Sequence, residues 1–418
     1  MTDSKYMEMA IELAARGAGY TSPNPMVGAV IVKDGQIIGV GYHERCGQLH
    51  AERNALADCR RRGNDPEGAA IYVTLEPCCH YGKTPPCTEA IIENKLAKVI
   101  IGSRDPNPLV SGKGARILRK AGIQVTEDFM REECDALNPV FFHYITTGLP
   151  YVVLKYAMTM DGKIATWAGN SKWITGETAR ANVHWDRHRL TGIMVGVGTV
   201  IKDDPMLTCR LEDEQIAKLH GGQPAAPGGG QRAEQCQEQS GSQHMEHTGS
   251  QHMEHTGGKN PVRIICDTHL RTPLDAKVVT TTDEARTIIA CSCPDRDRQQ
   301  PYLDAGCEIV TVGKNTEGHL DLRELMKKLA EQSVDSILLE GGGQLNWSAL
   351  EAGIVTRVQA YIAPKLFGGA DAKTPVAGSG VEFPSQAVTL ENLQIRHLGE
   401  DILIESEVKP CLQASSKK

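Results

Sequence analysis

The sequence predicts an α/β protein built from two units, and three observations support this prediction. Strand and helix patterns alternate along nearly the whole chain, which is the order typical of α/β folds. Two apolar runs flank Asp34 and Gly35, a strong short-range signal for a β-hairpin. A buried strand runs through three consecutive glycines into a helix in "SILLEGGGQLNWSAL".

The first unit is predicted to be a three-layer α/β/α domain over residues 1–146. It begins with an amphipathic helix in "MTDSKYMEMAIELAARG", followed by the hairpin around Asp34. A helix in "AERNALADCRRRG" then stops at Gly63. The remaining strands and helices alternate as "AAIYVTLEP", "CTEAIIENKL", "KVIIGSRDP", "GARILRKAG" and "IQV".

The second unit is predicted over residues 150–410, and it begins with the strand "YVVLKYAMT". Further strand candidates are "TGIMVGVGTV", "VRIICDT", "TIIACS" and "DSILLEGGG". Low-complexity sequence interrupts the unit at about 212–260 and contains the octapeptide "GSQHMEHT" twice in tandem. A histidine-rich metal-binding tract and a slippage insert in a surface loop are both compatible with it, and the exact duplication favours the insert.

Composition narrows the classes of function. The 418 residues carry a formal net charge of −7 with a pI near 6.1, so neither nucleic acid nor an anionic membrane is an expected partner. No apolar run reaches transmembrane length, and the N-terminal helix contains acidic residues, unlike a secretory signal. Thirteen cysteines then suggest reduced thiols in the cytoplasm, where clustered cysteines more often bind metal.

The stretch "HAERNAL" and the later "LEPCCHYGKTPPC" together predict a zinc site. His50, Cys78 and Cys87 are the predicted ligands, because Cys78 ends a strand and Cys87 begins a helix. A catalytic zinc needs three protein ligands and one open position. Glu52 is then the predicted proton carrier, and the whole set matches the zinc deaminase signature.

One alternative remains open at this motif. Cys87 follows Cys78 by nine residues, a longer spacing than in the signature, and Cys79 and His80 lie between them. Either residue would supply the fourth ligand of a closed structural zinc. That interpretation leaves Glu52 without a role, and it would make the chain a zinc-stabilised binding module.

The sequence resembles the family of bifunctional riboflavin-biosynthesis deaminase/reductases over nearly its whole length. The stretches that carry the first half of the resemblance are "SPNPMVGAVIV", "GYHERCGQLHAERNAL", "TLEPCCHYGKTPPC" and "RDPNP". Those that carry the second half are "LKYAMTMDGKIAT", "NSKWITG", "VGVGTVIKDDPMLTCR" and "LLEGGGQLNWSAL". The resemblance implies a cytidine deaminase-like first domain and a dihydrofolate reductase-like second domain.

The resemblance also implies two consecutive reactions. The first is zinc-dependent hydrolytic deamination of 2,5-diamino-6-ribosylamino-4(3H)-pyrimidinone 5′-phosphate, with one Zn²⁺ per chain. The second is NADPH-dependent reduction of the ribosyl group of the deaminated product to ribityl. We expect small-molecule substrates and a homo-oligomer. The competing hypothesis is a nucleic-acid or nucleoside zinc deaminase with a non-catalytic C-terminal domain, which the acidic balance of the chain disfavours.

The family resemblance implies further site residues in each half. In the deaminase half, the residues predicted to hold the substrate are Asn24, His43, Lys83, Asp105 and Asn107. In the reductase half, the sugar phosphate contacts are Ser171, Arg187, Leu207, Arg210 and Glu340. The NADPH contacts are Ala157, Trp173, Thr199, Asp203, Gly342, Gly343, Gln344, Leu345, Asn346, Trp347 and Ser348.

Two chemical arguments support the reductase residues independently of the resemblance. A planar, forked cation suits a phosphate ester, which favours Arg187 and Arg210. A glycine turn before a helix offers backbone amides to a pyrophosphate. Lys155 lies on the first strand, where it is predicted to polarise the ribose carbonyl or its imine, although a paired strand lysine is an equal alternative.

Overall fold

The computed structural model describes residues 2–81, 85–107, 110–222 and 260–409, which form two β-sheets with flanking helices. Lys83 and most of the low-complexity segment at 212–260 therefore lie outside the described residues. Within the described ranges, every helix is too short or too polar to span a lipid bilayer.

The first sheet has five strands in the order β2-β1-β3-β4-β5. The elements of this half are α1 (Asp3–Ala15), β1 (Gly28–Lys33), β2 (Gln36–Tyr42), α2 (Ala51–Arg61), β3 (Ala70–Leu75), α3 (Cys87–Glu93), β4 (Lys98–Ser103), α4 (Lys113–Lys120), β5 (Gln124–Thr126), α5 (Arg131–Asp135) and α6 (Pro139–Thr147). The predicted hairpin forms between β1 and β2. Lys33 pairs with Gln36, and Asp34 and Gly35 both have positive φ (52° and 75°), as a two-residue hairpin turn requires.

Helices cover both faces of this sheet, so the half has the predicted three layers. On one face, Met7 and Ala10 of α1 pack with Val30 and Ile100 of the sheet. On the other face, α2, α3 and α4 contribute buried residues to a cluster centred on Ile71. β3 and β4 run parallel, which brings the carboxyl ends of both strands to one edge, where Cys78 and Asp105 follow.

The second sheet has nine strands in the order β10-β9-β8-β7-β11-β6-β12-β14-β13. Its elements are β6 (Tyr151–Thr159), α7 (Glu177–Arg189), β7 (Gly192–Gly196), α8 (Val197–Asp203), α9 (Asp213–Gly222), β8 (Val262–Cys266), α10 (Lys277–Thr280), β9 (Thr287–Cys291), α11 (Arg296–Asp304), β10 (Glu308–Thr311), α12 (Leu322–Glu331), β11 (Ser336–Leu339), α13 (Gly343–Glu351), β12 (Arg357–Ala363), β13 (Leu390–Leu398) and β14 (Asp401–Val408). In this order, all strands from β10 through to β12 run parallel to their neighbours. β14 then pairs antiparallel with β12, and β13 pairs antiparallel with β14.

Two local expectations differ from the structure. The strand predicted from "TGIMVGVGTV" ends at Gly196, and the following residues form α8, so its glycines mark a strand-to-helix turn. The β-branched residues Val197, Thr199 and Val200 favour a strand locally, but tertiary packing of Val197 and Val200 overrides that preference. The first residues of the low-complexity segment form α9, whose Ile216 is buried.

The two halves are in direct contact. Helix α6 leads from the first half to the second, and the Tyr144 hydroxyl donates a hydrogen bond to the Ala330 carbonyl (2.9 Å). The loop after α1 meets α7, where the rings of Tyr20 and His188 lie 5.1 Å apart. Ala18 of the same loop packs on a buried cluster that includes Trp185.

Candidate active sites

Three separate elements bring the predicted zinc ligands together. His50 is the N-cap of α2, Cys78 follows the carboxyl end of β3, and Cys87 is the first residue of α3. Their potential ligand atoms all lie within 4.8 Å of one another. Because two ligands begin helices and the third follows closely after a strand, the framework of the domain fixes all three.

The spacing of these atoms fits a tetrahedral zinc ion. Nδ1 of His50 lies 3.5 Å from Sγ of Cys78 and 3.4 Å from Sγ of Cys87. Zinc bonds of about 2.3 Å to sulfur and about 2.0 Å to nitrogen, at a tetrahedral angle, place sulfur and nitrogen about 3.5 Å apart. A hydrogen bond with the Cys87 thiol and the nearby His50 lower the pKa of Cys78, which favours the thiolate that a metal requires.

The neighbouring residues Cys79 and His80 do not join this cluster. Among the described residues, the group of His, Cys, Asp and Glu side chains able to share an ion here consists of His50, Cys78 and Cys87. Burial raises the pKa of the Cys79 thiol, which disfavours a thiolate at that position. Three ligands leave a fourth tetrahedral position for water or substrate, as in catalytic zinc sites.

Glu52 lies at the same centre, two residues after His50 on α2. Its side chain is buried, with 3 % of the residue exposed, and its carboxyl group hydrogen-bonds with the Cys87 thiol. Burial, and then the charge of Cys78, raise the pKa of Glu52. A carboxyl group with a raised pKa is suited to accept and return a proton near neutral pH.

Four further predicted substrate residues form two contacting pairs in this half, and the pair of His43 and Asn24 adjoins His50. The ring of His43 lies 5.3 Å from the ring of His50, and its Nε2 is 3.3 Å from Nδ2 of Asn24. His43 Nδ1 lies 3.1 Å from the Leu49 carbonyl, which fixes the ring orientation. Asp105 and Asn107 follow β4, and the Asn107 backbone N–H donates to Asp105 Oδ1 (2.8 Å).

Asp105→Asn is expected to stabilise the protein at pH 8. Burial is the main cause that raises the pKa of Asp105 to about 6, while the unfolded carboxyl titrates near 3.9. The folded chain therefore binds more protons between these values, and stability falls as the pH rises from about 4 to about 6. Asparagine keeps the acceptor oxygen without the buried charge, so we expect a gain of about 1 to 2 kcal/mol at pH 8.

Urea unfolding at pH 8 and pH 4 measures this difference. The variant and the parent should be nearly equal at pH 4, where folded Asp105 is protonated and the unfolded carboxyl, with a pKa near 3.9, is about half protonated. Equal stability at pH 8 would show that the charge of Asp105 carries no folding cost. Because Asp105 is a predicted substrate contact, we also expect weaker deamination in the variant.

The second half contains a cavity of about 1140 Å³ at the carboxyl ends of β6, β11 and β7. Ligands of parallel α/β sheets bind at this edge. The predicted NADPH contacts that line the cavity are Ala157, Trp173, Thr199, Asp203, Gly342, Gly343, Gln344, Leu345 and Ser348. The amino end of α13 also opens onto it at Gly343, as the glycine-turn hypothesis requires for a pyrophosphate.

Two other predicted NADPH contacts do not line the cavity. Asn346 is fully buried and donates through Nδ2 to the Pro375 carbonyl (2.7 Å). Trp347 donates through Nε1 to Ser379 Oγ (3.1 Å). The partners of both side chains lie in the segment 375–379 that packs on α13.

A charged group lies at the floor of this cavity. Glu340 Oε1 accepts a hydrogen bond from Arg187 Nε (2.7 Å), and Glu340 Oε2 lies 3.4 Å from Lys155 Nζ. Burial alone raises the pKa of Glu340, but the charges of Arg187 and Lys155 outweigh it and hold the pKa at about 2. The group therefore carries two cations and one anion, a net positive charge that suits a phosphate ester.

Among the predicted sugar phosphate contacts, Arg187, Leu207 and Arg210 do not belong to the residues that line the cavity. Ser171 lines the cavity, and the Arg210 backbone N–H donates to His184 Nδ1 (3.2 Å). Burial, and then Arg187, lower the pKa of His184 to about 4, so the ring is neutral at physiological pH. Leu207 is buried with φ of 53°, an unusual backbone conformation for a leucine.

Sequence reasoning missed several residues that shape the sites. Arg53 holds the segment before Cys87 by donating to the Pro85 and Pro86 carbonyls (3.2 and 2.9 Å). Glu76 accepts hydrogen bonds from the backbone of Gly112 and Ala115 at the start of α4. In the second half, the Arg180 guanidinium lies 4.6 Å from the centre of the Trp173 ring, and Thr268 lines the cavity. Only Thr268 had a usable signal, its place at the carboxyl end of the predicted strand "VRIICDT".

Comparison with family models finds two matches along the chain. Residues 1–103 match the cytidine and deoxycytidylate deaminase zinc-binding region. Residues 150–404 match the RibD C-terminal domain. The first match contains all three predicted zinc ligands, and the second contains the cavity described above.

Individual relatives match over nearly their whole length. The riboflavin biosynthesis protein RibD of Actinobacillus pleuropneumoniae is 49 % identical over 97 % of this chain and 95 % of its own. RibD of Escherichia coli K12 is 37 % identical over 97 % and 99 %. Among solved structures, Acinetobacter baumannii RibD has a TM-score of 0.78 with 33 % identity, covering 97 % of this chain and 99 % of that one. The Thermotoga maritima deaminase/reductase has a TM-score of 0.76 with 34 % identity, covering 97 % and 98 %.

Proposed function

The chain belongs to the RibD family of riboflavin biosynthesis enzymes, and we propose which of its residues carry out the two reactions of that family. It is a bifunctional enzyme that joins a zinc-dependent pyrimidine deaminase to an NADPH-dependent reductase. A nucleic-acid deaminase with a non-catalytic second domain is not supported, because residues 150–404 match the reductase domain. We assign residues 1–146 to the deaminase and 150–410 to the reductase.

In the deaminase, we assign the metal to His50, Cys78 and Cys87. When bound, zinc supplies Lewis-acid activation of a water molecule at its open position. The Glu52 carboxylate accepts the proton of that water and delivers it to the departing ammonia. Asn24 and His43 orient the pyrimidine, while Asp105 and Asn107 are assigned to the ribose and phosphate. The ligand spacing carries this assignment, and we propose one zinc ion per chain.

In the reductase, we assign the sugar phosphate to the charged group at the floor of the cavity. NADPH, when bound, would supply the hydride, and the predicted contacts that line the cavity would hold it. Arg187 and Arg210 hold the phosphate, and Glu340 fixes Arg187 through a hydrogen bond to its Nε. Lys155 lies against Glu340 inside the cavity, where its ammonium polarises the carbonyl or imine at C1′ of the ribose.

Arg187→Gln tests the reductase assignment. Loss of a charged hydrogen-bond donor is worth about 1.5 to 3 kcal/mol, so we expect the Michaelis constant for the ribosyl phosphate to rise about 10- to 100-fold. The same substrate without its 5′-phosphate is the matched control, and its weak turnover should be similar in the parent and the variant. Arg296→Gln, at an exposed position of α11 that does not line the cavity, controls for loss of an arginine. Equal losses with and without the phosphate would remove Arg187 from phosphate binding.

We also propose a homo-oligomer that forms through the outer edge of the nine-stranded sheet. Strand β13 ends that sheet, and its Leu390, Leu393 and Ile395 are exposed. An exposed apolar edge strand is a ready template for pairing with a second strand. Sedimentation of the full chain should show a dimer or a larger species, and Ile395→Lys should shift it toward the monomer. A monomeric parent would reject the proposal.

A cytoplasmic location is the remaining proposal. The eleven cysteines in the described residues form no disulfide, and they are buried or half-buried thiols. Reduced thiols in this number are typical of a reducing compartment. Fractionation of cells that contain the protein, with the protein followed by antibody, tests this location.

A further inference from the structure

One loop of the deaminase half lies against a helix of the reductase half. We call residues 16–27, between α1 and β1, the bridging loop. Gly19 in this loop has φ of 81°, and a Cβ atom there would lie 2.5 Å from Nε2 and 2.9 Å from the backbone oxygen of His188. The Tyr20 ring meets the His188 ring edge-on, with the ring centres 5.1 Å apart. The close approach therefore depends on glycine at position 19.

The other end of the bridging loop reaches the deaminase site. Asn24, a proposed pyrimidine contact, lies 3.3 Å from Nε2 of His43. Tyr20 is tied to the same region, because its carbonyl accepts from the Cys46 backbone N–H (3.0 Å). The Arg45 guanidinium also lies 5.6 Å from the centre of the Tyr20 ring. The loop is thus fixed to the segment that leads into the zinc ligand His50.

Helix α7 presents two different faces to the two halves. His184 and Arg187, three residues apart, face the reductase site, where Arg187 donates to Glu340 and His184 accepts from Arg210. Trp185 and His188, also three residues apart, share the adjacent face and are each 3 % exposed. The ring centres of Trp185 and His188 lie 5.4 Å apart.

The contact between Tyr20 and His188 bears on Arg187 because His188 and Arg187 are neighbours near the end of α7. The helix ends at Arg189, so both residues belong to its last turn. The last four carbonyl groups of a helix have no intrahelical partner, and packing contacts decide how firmly the last turn is held. On the outer face of this turn, the bridging loop supplies the contact to His188.

We propose that Tyr20 and His188 are positioning residues for the reductase. Packing of the Tyr20 ring against His188 holds the last turn of α7, and with it Arg187, in the orientation that binds the substrate phosphate. Substrate affinity at the reductase site therefore depends on a loop of the deaminase half. This inference rests on the proposed assignment of Arg187 to the phosphate.

Reductase kinetics of the full chain, measured with the already deaminated ribosyl phosphate, test this proposal. We expect Tyr20→Ala and His188→Ala each to raise the Michaelis constant for that substrate about tenfold, because coupling carried by packed side chains is of this order. The turnover number and the NADPH dissociation constant, measured by fluorescence titration, should stay within about twofold, because neither residue lies in the cavity. Tyr20→Phe keeps the ring and should restore the parent value.

The double variant Tyr20→Ala/His188→Ala should have about the same Michaelis constant as either single variant, because both remove one contact. Tyr81→Ala is the matched control, since Tyr81 is an exposed tyrosine of the same half that bonds to Glu89, and it should leave the reductase constants unchanged. If thermal unfolding shows that His188→Ala destabilises the chain, Tyr20→Leu is used in its place. This variant removes the Tyr20 ring and leaves His188 unchanged.

Two results would overturn the inference. One is a Michaelis constant within twofold of the parent in folded Tyr20→Ala and Tyr20→Leu. The other is full additivity of the Tyr20 and His188 effects, which would mean that the two residues act separately. The parallel assay of Arg187→Gln separates this failure from failure of the proposed function. An unchanged constant in Arg187→Gln removes the phosphate assignment itself, together with the inference that rests on it.

Discussion

Glu52→Gln is expected to abolish deamination while zinc stays bound. Glutamine has nearly the same shape as glutamate and fits the buried position, but it cannot accept a proton from water or return it to the leaving ammonia. General acid–base catalysis typically contributes about 10²- to 10⁴-fold, and we expect the upper part of that range because one group serves both transfers. Ammonia release measures the loss, and metal analysis of the purified protein measures zinc.

The controls for this variant separate proton transfer from metal binding. Glu93→Gln, an exposed glutamate on α3, should match the parent in both measurements. Zinc content of Glu52→Gln should also equal that of the parent, because Glu52 lies outside the group of ligand atoms. Loss of zinc from Glu52→Gln would make Glu52 a ligand and leave the proton carrier unassigned.

Cys87→Ser is expected to lose both zinc and deamination. Cys87 is fully buried, and its sulfur is one of three ligand atoms within 4.8 Å of one another. Serine is a poor zinc ligand because its hydroxyl stays protonated at neutral pH, and two remaining ligands form an incomplete site. Substitutions that only support a ligand cost about 10- to 100-fold in metal affinity, so we expect a larger loss here.

Cys79→Ser is the matched control for the same substitution. Cys79 is adjacent to Cys78 in sequence but does not belong to the described ligand cluster. We expect zinc content and deamination near the parent values. Equal damage from the two serine variants would show that Cys79 takes part in the metal site. Chelator titration followed by zinc addition, with deamination as the readout, gives the relative affinities.

Local sequence patterns were sufficient for the hairpin and the metal cluster. Asp34 and Gly35 have the positive φ angles that their residue types favour, and the positions of Cys78 shortly after a strand and of Cys87 at the start of a helix follow from the residues around them. The prediction that every residue in the range 342–348 contacts NADPH did not distinguish the residues that line the cavity from those that do not. Consecutive residues of a helix point in directions about 100° apart, so Asn346 cannot face the cavity together with all its neighbours.

Contacts between distant segments were beyond sequence reasoning. Arg180 contacts Trp173 because of the conformation of the loop that contains Trp173, and no pattern of residue types predicts that conformation. The approach of Tyr20 to His188 joins residues of different halves, and its only sequence trace is the glycine at position 19. Both features depend on tertiary packing, which a single sequence without related sequences does not reveal.

The bridging loop has a consequence for any attempt to separate the two enzymes. A cut between α6 and β6 would give two proteins, each of which exposes the surface that formerly covered the other. The reductase piece would lose the contacts that Ala18 makes with the buried cluster containing Trp185 and that Tyr20 makes with His188. An exposed apolar surface favours self-association. We therefore expect a stand-alone reductase made from this chain to self-associate more than the full chain, unless polar residues replace apolar ones at that surface.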